Sequence, residues 1–211
     1  LQGDKEMRKW AGPILIAAIA LVLIIISYLF WDIPLAHYCR GLGTNVTDVA
    51  QIITVGGEAK WYFAVIIVLT VFFGFIRKNA LWLRRSLFIL VSLTASGLIS
   101  SLIKWLAGRH RPVDLFNPGL SGFDFFGVGY EVTSFPSGHS VTAFVLATAL
   151  TILFPRYGIA VFIAALAVAG TRVVLTSHYL SDTIAGAALG IIVAWAVKYY
   201  FDWKKLQLAK D

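Results

Sequence analysis

The sequence predicts an all-α polytopic membrane protein: six transmembrane helices in one bundle, with an interfacial active site at the outer face. Three observations carry this expectation. Of the 211 residues, 59% are hydrophobic, against roughly 45–50% apolar content in soluble domains. Six apolar runs, near 12–31, 61–76, 86–103, 139–154, 158–175 and 183–201, cross or nearly cross a hydrocarbon layer of about 30 Å at about 1.5 Å per residue. The cations are distributed unevenly about those runs.

The first run follows Met7, Arg8 and Lys9, as a secretory signal would. It is longer than the apolar segment of a signal, and no small-residue cleavage site follows Trp31, so it is expected to be a retained span. Residues 1–6 are expected to be foreign to the native protein, leaving 7–211 as a single domain. The runs at 61–76 and 139–154 are short and need flanking residues such as Trp61 or Ser137 to complete a crossing. In the last run Gly186 and Gly190 form a GxxxG, expected to serve packing within the chain.

Charge sets the orientation. With the N-terminus cytoplasmic, the inner segments hold Lys5, Arg8, Lys9, Arg77, Lys78, Arg84, Arg85, Arg156, Lys198, Lys204, Lys205 and Lys210. The outer ones hold Arg40, Lys60, Lys104, Arg109, Arg111 and Arg172. The bias predicts both termini on the cytoplasmic side. The net charge of +7 is then an orientation signal and not a sign of nucleic-acid binding. The single cysteine, Cys39, permits no internal disulfide and lacks partners for a metal site, and the Asn45-Val46-Thr47 sequon is assigned no role.

Two long connections are expected, at 32–60 and 104–138, both on the outer side. The second carries Pro112, Pro118, Gly119, Gly122, Gly127 and Gly129, which favour turns, and Phe116, Phe123, Phe125, Phe126 and Tyr130, either a cap at headgroup level or a lip that admits an acyl chain.

The chemistry-bearing residues collect in three stretches: Lys104 to Pro112, Pro136 to His139, and Thr171 to Asp182. The first two flank the connection between spans three and four, the third surrounds that between spans five and six, and by parity both open on one face. Lys104, Arg111 and Arg172 sit near span ends, where ionised groups are costly unless paired or solvated. One such cation is ordinarily a snorkelling side chain, but three beside two histidines suit a phosphoryl group. Pro136 and Gly138 shape a turn, Ser137 is a good N-cap, and an apolar run begins after His139, so backbone N–H groups at a helix start can face an anion. His139 would then pass a proton to a leaving oxygen. His178 and Asp182, spaced i, i+4, can share a face; a carboxylate that fixes the tautomer leaves the other ring nitrogen free to attack.

Taken together, K-x6-R-P at 104–112, P-S-G-H at 136–139 and T-R-x5-H-x3-D at 171–182 closely resemble the three-part signature of the type 2 phosphatidic acid phosphatase superfamily. The resemblance runs from about span three to span six, with its signature core at 104–182; residues 1–85 match by general architecture alone. It implies that His178 attacks phosphorus to form a phosphohistidine, that Asp182 orients it, and that His139 protonates the departing alkoxide and later activates water. Lys104, Arg111, Arg172, Ser137 and the Gly138 amide would hold the phosphoryl oxygens. Thr171 stands where the family usually has Ser, keeping the hydroxyl but adding a methyl to the phosphate pocket.

No aspartate cluster spaced for magnesium accompanies these residues, so catalysis without metal or cofactor is expected, on a lipid phosphate drawn from the surrounding membrane. Candidate substrates are undecaprenyl diphosphate, lipid A 1-phosphate, phosphatidylglycerophosphate and phosphatidic acid, of which an outer-face site favours the first two. The alternative is an anion transporter or channel built on the same cations; haloperoxidase chemistry is disfavoured by the spans. Oligomeric state is not legible in the sequence.

Overall fold

A computed structural model describes residues 2–116 and 119–209, with side chains from Ala11 onward. Lys210 and the side chains of Lys5, Arg8 and Lys9, counted among the inner cations, lie outside the described residues. The first helix, α1 (Gln2–Ile26), passes through a π-helical turn at Ser27–Trp31 straight into α2 (Asp32–Arg40). After Gly41–Gly43 the chain returns through α3 (Thr44–Thr54), a 3-10 turn at Val55–Gly57, and α4 (Ala59–Val71) with its own π-helical end at Phe72–Ile76. The expected connection at 32–60 is therefore helical almost throughout. Its polar residues end the apolar run without ending the helix, because only the glycines at 41, 43, 56 and 57 have the backbone freedom that stops one.

Asn79 caps α5 (Ala80–Ala107) by accepting from the Trp82 N–H at 3.2 Å. The helix ends on Gly108, which adopts a left-handed φ of 57° and returns its N–H to the Lys104 carbonyl at 2.9 Å. A short α6 (Pro112–Phe116) follows, then an irregular stretch to the Ser137 cap of α7 (Gly138–Leu153). A 3-10 turn at Pro155–Tyr157 leads to α8 (Gly158–Val174), and α9 (Leu180–Trp203) closes the bundle. Among the described residues the only β pairing is an isolated bridge between Arg109 and Phe123.

Five segments, Ala11–Arg40, Thr44–Ile76, Ala80–Ala107, Pro155–Val174 and Leu180–Trp203, are long and apolar enough to cross a membrane. The fourth expected span departs from this: α7 has 16 residues, against about 20 for a crossing. It is the central helix, packed against α9, α8 and α5, and every residue from Ser140 to Ala149 is buried. A helix enclosed by protein needs no length matched to lipid. The outer helices show the reverse, with Ile14, Leu15, Val22, Ile67 and Val68 all exposed, as lipid-facing residues should be.

The GxxxG does pack within the chain. A Cβ on Gly186 would lie 2.5 Å from the Ser137 carbonyl oxygen, and one on Gly190 would lie 2.7 Å from the Val141 carbonyl oxygen and the Val145 nitrogen. These two glycines let the backbones of α7 and α9 touch, so His139 and Asp182 are carried on helices in direct contact. Toward the other end, Phe88 and Phe201 meet edge to face at 5.6 Å among Ala149, Leu153 and Val193. Two further apolar clusters, around Phe144 and Ala165 and around Ile66 and Val145, continue the core through the bundle.

Candidate active site

The site is assembled at the end of the bundle where α5 stops and α7 and α9 start. Gly108 turns the chain so sharply that a Cβ there would run into the Asp124 carbonyl, and the Asp124 N–H returns to the Gly108 carbonyl at 2.7 Å. Lys104, in the last turn of α5, donates to the Thr133 carbonyl at 2.6 Å. Arg111 reaches the same carbonyl at 3.3 Å and also donates to the carbonyls of Tyr130 (2.7 Å) and Ser177 (2.9 Å). Its guanidinium lies 3.9 Å from the Tyr130 ring centroid. Arg172, on α8, donates to Thr54 Oγ1 at 2.8 Å, and its carbonyl accepts from the N–H groups of Ser177 and His178. Three cations from three elements thus surround one spot.

His178 is 3% exposed. Its Nδ1 lies 2.8 Å from the Ser134 carbonyl oxygen, an atom that only accepts, so the ring proton sits on Nδ1 and the lone pair on Nε2. That Nε2 is 3.3 Å from the Arg111 guanidinium. Burial, reinforced by the charges of Arg111 and Lys104, lowers the His178 pKa to about 4 in spite of the nearby Asp182 carboxylate. The imidazole is therefore neutral near pH 7, and its Nε2 lone pair accepts from Arg111. Burial lowers the Arg111 pKa as well.

Asp182 faces His178, with Oδ2 at 3.7 Å from Nδ1, but its shorter bonds go elsewhere. Oδ2 accepts from Ser134 Oγ at 2.5 Å and from the Tyr179 N–H at 2.9 Å, and Oδ1 accepts from Arg109. The i, i+4 spacing thus places the two residues face to face as expected, and the structure adds Ser134 as the closer acceptor of the imidazole proton.

Ser137 is the N-cap of α7, fully buried, its oxygen accepting from the Ser140 N–H (3.5 Å) and Ser140 Oγ (3.1 Å). Both bonds leave its own hydroxyl proton free to donate. Gly138 begins the helix, and nothing lies within 4 Å of where a Cβ would be. His139 follows and lines, with Lys104, a cavity of about 300 Å³ that runs between α4 and α5 past Ser96, Ser100 and Ser101. Gly57 packs on the ring: a Cβ there would lie 2.6 Å from His139 Cδ2. Contacts lead from one imidazole to the other, with Lys104 beside His139, Thr133 bonded to Lys104 and Arg111, and Arg111 at His178. Both histidines belong to one site.

Thr171 turns away from it. Its hydroxyl donates to the Val168 carbonyl at 2.6 Å, within its own helix. His110 likewise pairs locally, with Asp114 at 3.0 Å. Sequence reasoning missed Ser134, Thr133, Thr54, Gly57, Asp32 and the inward role of Arg109. Only the last two left a signal: ionisable residues at the ends of apolar runs, which in a membrane chain point to function by default.

Comparison with known proteins agrees with this geometry. The PAP2 superfamily model matches residues 85–206. Lipid A 1-phosphatase of Rhizobium etli is 31% identical over 194 residues, covering 86% of this chain and 81% of that protein. Among solved structures, the transmembrane PAP2-type phosphatidylglycerolphosphate phosphatase of Bacillus subtilis superposes with a TM-score of 0.67 over 90% of this chain and 96% of that one, at 24% identity. Aquifex aeolicus LpxE gives a TM-score of 0.60 over 80% of this chain and 95% of its own, at 19% identity. With the signature residues gathered at one bundle end, the chain belongs to the PAP2 superfamily and is an integral-membrane lipid phosphatase.

Proposed function

We propose that the protein removes the 1-phosphate of lipid A through a phosphohistidine on His178. The observation that carries this is the His178 ring itself, with its proton held on Nδ1 by the Ser134 carbonyl and the Nε2 lone pair turned to Arg111, where a phosphoryl oxygen would sit. Nε2 attacks phosphorus while the bond from phosphorus to the lipid oxygen breaks, and His139 gives that oxygen its proton. His139, now neutral, takes a proton from water, the hydroxide attacks the phosphohistidine, and phosphate leaves with Nε2 restored. Lys104, Arg111 and Arg172, with the Ser137 hydroxyl and the Gly138 amide, hold the phosphoryl oxygens as charge builds in the transition state. They supply the electrostatic role a metal would otherwise fill, and turnover is expected to persist in EDTA.

Two cavities support a lipid substrate. The one beside His139 opens between α4 and α5, and a second, about 420 Å³ and lined by Tyr62, Val65, Ile66, Leu69, Leu146 and Ala165, lies nearby in the apolar part of the bundle. The position of these openings suits a headgroup at the site with acyl chains entering from the bilayer. The Rhizobium etli likeness favours lipid A over the other three candidates. The cation bias favours a site on the periplasmic face of the inner membrane, with both termini cytoplasmic and α7 completing a sixth crossing through its flanks.

The test is phosphate release by purified, detergent-solubilised protein in EDTA, with lipid A 1-phosphate, undecaprenyl diphosphate, phosphatidylglycerophosphate and phosphatidic acid compared side by side. Lipid A should be turned over fastest, and quenching in alkaline denaturant, where a phosphorus–nitrogen bond survives, should trap label on His178. Faster release from any of the other three overturns the substrate, and absence of label under single turnover overturns the intermediate.

A further inference from the structure

Behind Asp182 lies a buried ionic chain that the reaction as described does not use. Arg109 Nη1 donates to Asp182 Oδ1 and, at 2.6 Å, to Ser181 Oγ, while Nη2 donates to Asp32 Oδ2 at 2.7 Å. Asp32 also accepts from Ser27 Oγ (2.9 Å), the Ser181 N–H (3.0 Å) and Ser181 Oγ. Asp32, Arg109 and Asp182 are 2%, 3% and 0% exposed. The guanidinium is enclosed by the rings of Tyr28, Phe123 and Tyr179, at 5.1, 5.4 and 4.5 Å.

We infer that Asp32 and Arg109 are positioning residues for catalysis: through Asp182 they set how strongly the carboxylate supports charge on His178. The inference rests on His178 as the attacking group. A buried ion triad is weak evidence for stability, since well-packed apolar residues of similar volume often hold a fold as well. What singles this one out is where it ends. Attack through Nε2 leaves a positive imidazolium ring, and the negative charge of Asp182, 3.7 Å from Nδ1, is the nearest compensation. Arg109 bonds to the same carboxylate and opposes that effect. Asp32 offsets Arg109, taking part of its charge on the side away from the reaction. With an uncharged amide at position 32, Arg109 would act on Asp182 alone, and the imidazolium would lose support. Binding of the phosphoryl group, left to Lys104, Arg111 and Arg172, would not change.

Asp32 also belongs to the first span, which otherwise lies outside the signature core and shows little burial. Its carboxylate fastens that span to the first turn of α9, one residue from Asp182.

The experiment compares parent, Asp32→Asn and His178→Ala proteins in detergent. Calorimetric titration with inorganic phosphate counts competent pockets, and kcat per pocket and KM are measured on lipid A. In Asp32→Asn, kcat per pocket should fall about 10–100-fold, the usual cost of removing an outer supporting group, with KM and phosphate affinity within about threefold of the parent, as for an interaction made only in the transition state. A kcat per pocket within about threefold of the parent overturns the inference. If Asp32→Asn does not give a monodisperse protein, Asp32→Ser is read by the same measure, because it too removes the charge that offsets Arg109. Loss of the phosphate pocket in both variants also overturns it, since the chain of charges would then hold the fold and not the reaction. Parental turnover by His178→Ala would instead sink the nucleophile assignment beneath it.

Discussion

His178 Nδ1 lies 2.8 Å from the Ser134 carbonyl oxygen and 3.7 Å from the nearest carboxylate oxygen of Asp182. A main-chain acceptor therefore holds the imidazole proton, and the carboxylate acts through its charge from just beyond bonding range. In the proposed reaction, the two duties that one aspartate performs in a serine protease triad, fixing the tautomer and stabilising the imidazolium, would be divided between two groups.

From that division follows the size of the Asp182→Asn effect. Loss of the correct tautomer costs a triad enzyme about 10⁴ in kcat. With Ser134 still holding the proton, the loss here should be smaller, about 10²–10³, and confined to kcat. Steady-state kinetics on folded protein decides it: a loss equal to that of His178→Ala would mean that the carboxylate orients the ring after all.

The depressed pKa of His178 fixes two pH dependences. In the proposed reaction the neutral imidazole attacks, so its contribution to the acid limb of kcat/KM should fall near pH 4, well below the usual histidine value of about 6.5. For stability the sign runs as follows: below about 6.5 the unfolded chain takes up a proton that buried His178 refuses until about 4. Stability should therefore decline as pH drops through that window and level off beneath it. Melting curves from pH 7.5 to 3.5 should show the slope reduced in His178→Gln; identical slopes would contradict the burial argument.

Gly190→Ala should separate α7 from α9. The new methyl would meet the Val141 carbonyl oxygen and Val145 nitrogen, main-chain atoms that cannot rotate aside. A destabilisation of about 1–3 kcal/mol is expected, as for overpacking in general, with activity falling as His139 and Asp182 move apart. Gly170→Ala, where nothing lies within 4 Å, is the control and should leave the melting temperature unchanged or raise it.

Gly57→Ala should act on one ring. Its methyl would press on His139 Cδ2 at 2.6 Å and Val168 Cγ1 at 2.7 Å. Displacing a proton-transfer group by even 1 Å can cost about 10²-fold, so kcat should fall 10- to 100-fold, on the order expected for general acid–base catalysis. Rapid-quench experiments should show the phosphorylated enzyme accumulating if water activation suffers most. Full activity would mean that the ring has room to retreat.

Much of this was legible in the residues. The fold class, the lipid phosphatase identity and the convergence of Lys104, Arg111, His139, Arg172, His178 and Asp182 at one bundle end follow from hydropathy, parity and the three motifs. The anion-transport alternative loses its ground with the family assignment. Helix ends were less legible. Hydropathy marks where lipid contact stops, and α2 and α3 continue past that point on polar residues, so Asp32–Thr54 read as a connection and folds as helices. Ser134 was invisible for another reason: its part is played by a carbonyl, an atom every residue carries. Arg109 was overlooked because spacing cannot say which of two neighbouring arginines turns toward the phosphate and which turns back toward Asp182.

The enclosure of α7 has a consequence for how the enzyme meets different bilayers. Membranes vary in thickness by several ångströms, and helices in contact with lipid respond by tilting. His139 rides on the helix that is buried from Ser140 to Ala149 and wrapped by its neighbours. Peripheral segments such as Ala11–Arg40 and Thr44–Ile76, whose apolar windows are only 11% and 6% buried, can absorb the mismatch. The His139 ring, the proposed proton-transfer group, is thus mechanically insulated, and the chemical step should proceed at one rate in thin and thick lipid alike.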